Sequence, residues 1–178
     1  FSEEERVSLF QGLYPTGDEG TVELLRTKRP NILVVLMESF GGALVESFGG
    51  VKGASTNLDR LSKEGIWFTN CYANSYRTDR GTVCTFSGYQ SFPTLSVMKM
   101  PNKSRTLPSI ATELRKQGYH TDFLYGGDIN FTNMKSYLLE SGYQHLTADV
   151  DFPVSQRKNA WGVNDDITFE WLYNKLKD

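Results

Sequence analysis

The stretch Asn31-Ile-Leu-Val-Val-Leu-Met-Glu38-Ser39 decides the fold class of this chain. Its apolar run, Ile32–Met37, has no polar alternation, which is typical of a central parallel strand that is covered on both faces. Glu38 follows this run directly, and the carboxyl end of a parallel strand is the edge where α/β proteins bind ligands. We therefore expect Glu38 to hold a cation. The alternative is an acidic residue that leads the chain into a solvated loop.

Strand-like and helix-like segments alternate along the rest of the chain. Further strands are predicted at Ile66–Tyr72 and Thr121–Tyr125. Helices are predicted at Glu3–Phe10, Asn57–Lys63, Gly81–Phe86, Thr106–Gln117, Asn133–Glu140 and Asp165–Leu176. This alternation indicates an α/β domain with a largely parallel sheet flanked by helices. We divide the chain into a lead-in segment, residues 1–30, and a domain, residues 31–178.

Bulk composition indicates one ordinary domain and argues against two classes of partner. The chain has 178 residues, 39% of them hydrophobic and 22% charged, within the range of soluble domains. A formal charge of −2 gives no electrostatic reason to expect nucleic acid. The longest apolar run is too short to cross a bilayer. The N-terminus does not resemble a signal peptide, so we expect either a cytoplasmic protein or a targeting segment upstream. Cys71 and Cys84 are predicted to be buried free thiols.

A second group of chemically useful residues surrounds Thr78, in the stretch Arg77-Thr78-Asp79-Arg80-Gly81. A threonine hydroxyl becomes an effective nucleophile only when a metal or a base lowers its pKa. At a helix start it would also lie beside backbone N–H groups and the positive end of the helix dipole, which favour an anionic substrate. Arg77 and Arg80 each offer a guanidinium for phosphate or sulfate oxygens. The alternative is that Thr78 caps the helix and its charged neighbours are solvated.

Together, Glu38, the segment Thr56-Asn-Leu-Asp-Arg-Leu and Thr78 with Ser87-Gly88 resemble the sulfatase branch of the alkaline phosphatase superfamily. The resemblance is strongest to phosphoglycerol transferases of the lipoteichoic acid synthase type. Sulfatases end the first strand in paired aspartates, whereas this chain has Met37-Glu38, as the synthase group does. Thr78 stands nine residues before Ser87, the spacing that separates the sulfatase nucleophile from a Thr-Gly pair. Later matching landmarks are Leu107-Pro-Ser-Ile, Gly118-Tyr119, Tyr125-Gly-Gly-Asp and Trp161-Gly-Val-Asn-Asp165.

The resemblance implies an alkaline phosphatase-like α/β fold and Thr78 as the nucleophile. An unmodified threonine there implies transfer of a phosphate-ester group, such as a phosphoglycerol head group, through a phospho-threonine intermediate. Glu38 and Thr78 would then be ligands of a divalent metal ion, Mn²⁺ or Mg²⁺, with Zn²⁺ or Ca²⁺ as alternatives. The implied substrate is a phospholipid head group or another anionic ester, used to modify cell-envelope lipids or glycans. The implied location is the extracytoplasmic face of the cytoplasmic membrane, in the cell envelope or periplasm, reached through an upstream membrane segment.

Part of the family's site has no counterpart in this sequence. Members normally complete the metal site with an Asp-His pair in the second half of the domain. His120 and His145 lie in no such pattern, and we expect structural roles for both. The resemblance therefore implies the N-terminal part of a catalytic domain, incomplete at its C-terminus and inactive alone.

The residues that would recognise the head group also depart from the family. The tryptophan and arginine that hold glycerol phosphate in the transferases fall near Thr132 and Met134, which offer neither a ring nor a guanidinium. Asp128 and Asn133 are the predicted polar substitutes, with turn formation as the alternative for Asp128. Two other functions stay open: a sulfatase or phosphatase that transfers its ester group to water, and a non-catalytic domain that binds an envelope component.

Overall fold

The chain divides into two units, residues 1–39 and residues 40–178. The structure is a computed structural model and describes residues 2–12, 20 and 22–177. Part of the predicted lead-in segment, residues 13–19 and residue 21, therefore lies outside the described residues. The boundary predicted between residues 30 and 31 remains a prediction.

Seven α-helices and two β-strands are assigned within the described residues. The helices are α1 (Glu3–Gln11), α2 (Thr56–Leu61), α3 (Thr78–Ser87), α4 (Pro101–Ser104), α5 (Ile110–Lys116), α6 (Met134–Glu140) and α7 (Asp165–Lys177), and the strands are β1 (Asp122–Leu124) and β2 (His145–Thr147). Short 3₁₀ turns lie at Gly42–Leu44, Glu46–Phe48, Val97–Lys99, Phe131–Asn133, Asp149–Asp151 and Val154–Gln156. Within this described part of the chain, no helix has the length and apolar character that a bilayer crossing requires.

The six predicted helices are all confirmed, with shifted ends. Helix α1 begins at a capping box in which Ser2 and Glu5 satisfy each other's backbone N–H groups. Helix α5 begins at Ile110, not at the predicted Thr106, because the hydroxyl of Ser109 accepts a hydrogen bond from the Ala111 N–H at 3.2 Å. Ser109 is therefore the N-cap, and the last residues before it are excluded from the helix.

The parallel pair β1–β2 organises the second unit. Its register joins Asp122 to His145 and Leu124 to Thr147, and α6 lies in the connection between the two strands. The predicted strand Thr121–Tyr125 is thus confirmed as β1. Strand β2 was not predicted, because a three-residue segment is too short to display a periodic pattern.

Two predicted strands are wrong for the described residues. Ile32–Met37 has no assigned strand, and its side chains are 46–62% exposed. Ile66–Tyr72 is also irregular; its Trp67 ring stacks on Phe48 with centroids 5.1 Å apart. Both segments have apolar sequences, but a strand also needs a neighbouring ladder, and none pairs with either of them among the described residues.

One buried core holds α3, α6 and the strand pair together. Its fully buried members are Val83, Val97, Met98, Ile129, Met134, Tyr137, Leu138 and Ala148. Beside it, the rings of Phe86, Phe123 and Tyr143 meet edge to face, with centroids 5.5–6.0 Å apart. Burial of each large apolar side chain contributes roughly 1.5–3 kcal/mol, so this core fixes the position of α3, the helix that begins with Thr78.

Candidate functional site

Thr78 is the first residue of α3, and the local sequence explains why the helix begins there. Arg77 is extended, with φ −121° and ψ 135°, and its carbonyl accepts hydrogen bonds from the N–H groups of Arg80 and Gly81 at 3.2 and 2.9 Å. The predicted helix began at Gly81, so the structure extends it by one turn toward the N-terminus. Half-buried Thr78 thus lies in the first turn of a ten-residue helix, at the positive end of its dipole. This environment favours an anionic group near the threonine hydroxyl.

Arg80 lies on the same helix, and among the described residues it has no ion-pair partner. Its Nε atom is buried and has no hydrogen-bond partner, and no carboxylate within the described ranges forms an ion pair with its guanidinium. The guanidinium carbon lies 5.8 Å from the centre of the Tyr76 ring, a weak cation–π contact. Arg80 also lines a cavity of about 10 Å³, with Gln90 and Ser91 among the other lining residues, which is room for about one water molecule. The neighbouring Arg77 is exposed.

Asp79 is a residue of this region that the sequence did not single out. This acidic residue is only 5% exposed, and its Oδ2 lies 4.0 Å from Nζ of Lys99. Its place in the first turn of α3 is favourable for a negative charge. No periodic or motif signal distinguishes it from the charged residues around it, so its burial could not be predicted.

Ser87 and Gly88, which carried part of the family resemblance, end α3. Gly88 has φ +63°, the left-handed conformation of a helix C-cap, which glycine adopts without strain. The Ser87 hydroxyl forms a 2.7 Å hydrogen bond with the hydroxyl of Tyr137, a fully buried residue of α6. Burial raises the pKa of Tyr137. This pair joins the far end of the Thr78 helix to the core.

Glu38 and Thr78 belong to different units of the chain. Glu38 lies in the unit of residues 1–39, in an exposed turn with Ser39, whose φ is +57°. Thr78 lies in the unit of residues 40–178. Across the described residues, no group of three His, Cys, Asp or Glu side chains is assembled for a metal ion. A shared cation between Glu38 and Thr78 therefore remains a prediction.

The two predicted head-group residues both take part in local structure. Exposed Asp128 accepts hydrogen bonds from the backbone and side chain of Asn130 at 2.8 and 3.0 Å, which is a turn-forming arrangement. Asn133 has φ +66°, and its Nδ2 donates to the carbonyl of Met98 at 3.0 Å. Met134, beside it, is 1% exposed and packs in the core. Their roles toward a substrate stay predictions.

The two histidines lie on the strand pair at its amino end. His120 Nε2 is 3.0 Å from the carboxylate of Asp122, which also pairs with Lys175 at 3.2 Å. His145 is the first residue of β2 and is exposed. Ligand sites of α/β folds lie at the opposite, carboxyl end of the strands; the structural roles of both histidines stay a prediction. The two cysteines are more accessible than predicted, since Cys71 is exposed and Cys84 is half-buried.

Comparison with known proteins places this arrangement in a family. A model of the Sulfatase family matches residues 30–177. The N-acetylglucosamine-6-O-sulfatase of Bacteroides thetaiotaomicron is 29% identical over 98 residues, which are 53% of this chain and 17% of that protein.

Two solved structures are also similar. An alkaline phosphatase superfamily protein from Vibrio parahaemolyticus aligns with a TM-score of 0.67 and 37% identity, over 78% of this chain and 33% of its own. The lipoteichoic acid synthase LtaP from Listeria monocytogenes aligns with a TM-score of 0.52 and 14% identity, over 58% of this chain and 25% of its own, which supports the fold alone.

This chain thus spans a third or less of the length of the relatives it matches. Its helices and small parallel sheet are part of the α/β domain that was predicted from the sequence. Because the family match runs through nearly the whole of residues 40–178 and includes Glu38, the chain belongs to the Sulfatase family within the alkaline phosphatase superfamily.

Proposed function

We propose that this chain supplies the nucleophile of a metal-dependent enzyme that transfers a phosphate-ester group through a phospho-threonine intermediate. Sulfatase-family proteins act on anionic esters and are generally metal-dependent. The observation that carries the proposal is Arg80, a partly buried guanidinium with a buried, unpartnered Nε, two residues after Thr78. A buried guanidinium N–H without a hydrogen-bond acceptor costs free energy. An anionic substrate bound beside Thr78 would remove that cost.

The proposed reaction has two balanced steps. In the first, Oγ of Thr78 attacks phosphorus; the new O–P bond forms as the O–P bond to the leaving alcohol breaks, and the hydroxyl proton is passed on to that alcohol. In the second, an acceptor alcohol or water attacks the same phosphorus; the new O–P bond forms as the bond from phosphorus to Oγ of Thr78 breaks, and the proton of the acceptor hydroxyl is passed on to Thr78. Arg80, with Arg77, binds the equatorial oxygens in both steps, where the negative charge is concentrated.

The two proposed metal ligands suit a hard divalent cation, although two ligands are too few to hold one. The Glu38 carboxylate and Thr78 hydroxyl are oxygen ligands of the kind that Mn²⁺, Mg²⁺ or Ca²⁺ accept, whereas such ions take six or more ligands. When bound, the ion's chemistry is to lower the pKa of the Thr78 hydroxyl and to offset developing charge. Within the described residues the remaining ligands are not assembled, so in this proposal they come from elsewhere in the complete protein.

The substrate and setting of the proposal follow from the resemblance to phosphoglycerol transferases. The donor would be a phospholipid head group, and the product a modified lipid or glycan of the cell envelope, outside the cytoplasmic membrane. Asp128 and Asn133 are the proposed head-group contacts. Thr132 and Met134 occupy the places of the ring and guanidinium in those transferases, so a head group other than glycerol phosphate fits the proposal equally.

A second candidate function is hydrolysis of a sulfate ester. It is favoured by the similarity to the Bacteroides N-acetylglucosamine-6-O-sulfatase. Against it stands the unmodified threonine at the nucleophile position, where sulfatases use a modified cysteine or serine. The two functions differ in the substrate, which is a phosphate ester in the first and a sulfate ester in the second.

Turnover by the intact protein and by its Thr78→Ala and Thr78→Ser variants tests the proposal. The probes are bis(4-nitrophenyl) phosphate, 4-nitrophenyl phosphate and 4-nitrophenyl sulfate, each with added Mn²⁺ or Mg²⁺. We expect phosphate-ester cleavage by the intact protein, loss with alanine and partial recovery with serine. Cleavage of the sulfate alone would support the second candidate. Cleavage that survives Thr78→Ala, or no cleavage of any probe, would refute the proposal, and the latter result would favour a non-catalytic binding domain.

A further inference from the structure

The loop that leads into Thr78, residues 71–77, is tied to the segment that follows α3 by the side chain of Asn74. Its Oδ1 accepts a hydrogen bond from the backbone N–H of Ser91 at 2.9 Å. Its Nδ2 donates to Oε1 of Gln90 at 3.3 Å, and Nε2 of Gln90 lies 3.5 Å from Asn74 Oδ1 in return. One amide therefore bridges two stretches of chain that lie on either side of the nucleophile helix in sequence.

A short series of contacts transmits the position of Asn74 to Thr78. The loop has no helix or strand of its own to fix it. The hydroxyl of Ser75 accepts a hydrogen bond from the N–H of Arg77 at 3.3 Å, and the carbonyl of Arg77 accepts the first hydrogen bonds of α3. Thr78 is thus four residues from the bridge, with a turn and a helix start between them.

The other end of the bridge lies beside Arg80. Gln90 and Ser91, the two partners of Asn74, line the same small cavity as Arg80. The bridge therefore sets the distance between the loop that leads into Thr78 and the cavity wall beside the Arg80 guanidinium. The proposed reaction requires the Thr78 hydroxyl and the Arg80 guanidinium to stay at a fixed distance from each other.

We propose that Asn74 is a positioning residue for Thr78 and Arg80, an inference that rests on the function proposed above. Asn74 is exposed, and hydrogen bonds at the surface contribute little to global stability because water replaces them. Reaction rates are far more sensitive than stability to the positions of the reacting groups, since a displacement of roughly 1 Å can lower a rate by about a hundredfold. Loss of the bridge should therefore change turnover much more than stability.

The test compares three variants of the intact protein with bis(4-nitrophenyl) phosphate as substrate. Asn74→Ala removes the bridge. Asn74→Asp keeps it, because a carboxylate oxygen accepts from the Ser91 N–H and a rotated Gln90 amide can donate to the carboxylate. Asn102→Ala is the matched control, since Asn102 is an exposed asparagine on α4. We expect Asn74→Ala to lower kcat by about tenfold with KM changed by less than about threefold, and Asn74→Asp to recover most of the loss.

Several outcomes would overturn the inference. An unchanged kcat in Asn74→Ala would do so, as would an equal loss in Asn74→Asp or in Asn102→Ala. If Asn74→Ala fails to fold, Gln90→Ala, which removes one half of the bridge, decides the matter: an unchanged kcat in a folded Gln90→Ala overturns the inference, and a lowered kcat supports it. Thr78→Ala is assayed in parallel: activity that survives there refutes the proposed function, whereas its loss together with a normal Asn74→Ala refutes only the role of Asn74.

Discussion

The hydrogen bond between Ser87 and Tyr137 should contribute measurably to stability, because it joins two helices at the edge of the core. The two hydroxyl oxygens are 2.7 Å apart, and Tyr137 is 0% exposed. In Ser87→Ala the buried tyrosine hydroxyl loses this partner but keeps the side chain of Ser141 as another, so we expect a cost of about 0.5–1.5 kcal/mol. In Tyr137→Phe the half-buried Ser87 can still be hydrated, but buried Ser141 also loses a partner, so the expected cost is about 1–3 kcal/mol.

A double-mutant cycle separates this bond from other effects of each substitution. Because the bond between Ser87 and Tyr137 is lost in both single variants but only once in the double variant, the loss in the double variant should be smaller than the sum of the single losses by about 0.5–1.5 kcal/mol. Urea unfolding followed by circular dichroism measures all four proteins. Tyr143→Phe is the control, since that half-buried hydroxyl has no hydrogen bond within the described part of the chain, and its change should stay within about 0.5 kcal/mol. Strict additivity of the two single losses would refute the reasoning.

Three further predictions concern charge and pH. Arg80→Ala should lower kcat/KM for bis(4-nitrophenyl) phosphate by about tenfold to a hundredfold, and Arg80→Lys by less, because a hydrogen bond to a charged group contributes about 1.5–3 kcal/mol; steady-state kinetics measures this, and equal effects of the two variants would contradict an anion-binding role. Chelation by EDTA should abolish turnover and added Mn²⁺ or Mg²⁺ should restore it, whereas full activity in EDTA would argue against a metal-dependent reaction. Burial, followed by the neighbouring Tyr137, raises the pKa of Tyr143 above its ordinary value of 10.0, so its contribution to stability is present below pH 10 and is lost as the pH rises toward the raised pKa. Melting temperatures measured above pH 10 should therefore fall less steeply in Tyr143→Phe than in the unsubstituted protein.

The helices were predictable because their signals are local. Ser2 with Glu5 forms a capping box, and Gly88 ends α3 in the left-handed conformation; both signals require only a few neighbouring residues. Where the prediction placed a helix start too early, at Thr106, a nearby serine capped the helix later. Local capping therefore explains why the predicted helices were found and why α5 begins later than predicted.

The strands were less predictable because a strand depends on distant partners. Ile32–Met37 has the composition of a buried strand, yet no ladder forms on it among the described residues. The Vibrio relative is three times as long as the part that this chain matches, and in a parallel sheet the neighbours of one strand come from distant sequence. Short β2 carried no pattern at all.

The candidate site was predictable in its residue types but not in its supporting contacts. Thr78 and Arg80 follow from motif spacing and chemistry. The burial of Asp79 beside Lys99 and the bridge from Asn74 to Ser91 join residues that are distant in sequence. No pattern along the chain reports such pairs, so only the folded arrangement reveals them.

Peptide mass spectrometry of the intact protein, quenched during turnover of a phosphodiester, tests the threonine intermediate most directly. The account predicts a phosphorus-containing group on the peptide that spans Thr78, on the threonine oxygen, and its disappearance when an acceptor alcohol is added. A label on any other side chain, or continued turnover by a protein whose position 78 is alanine, would contradict it.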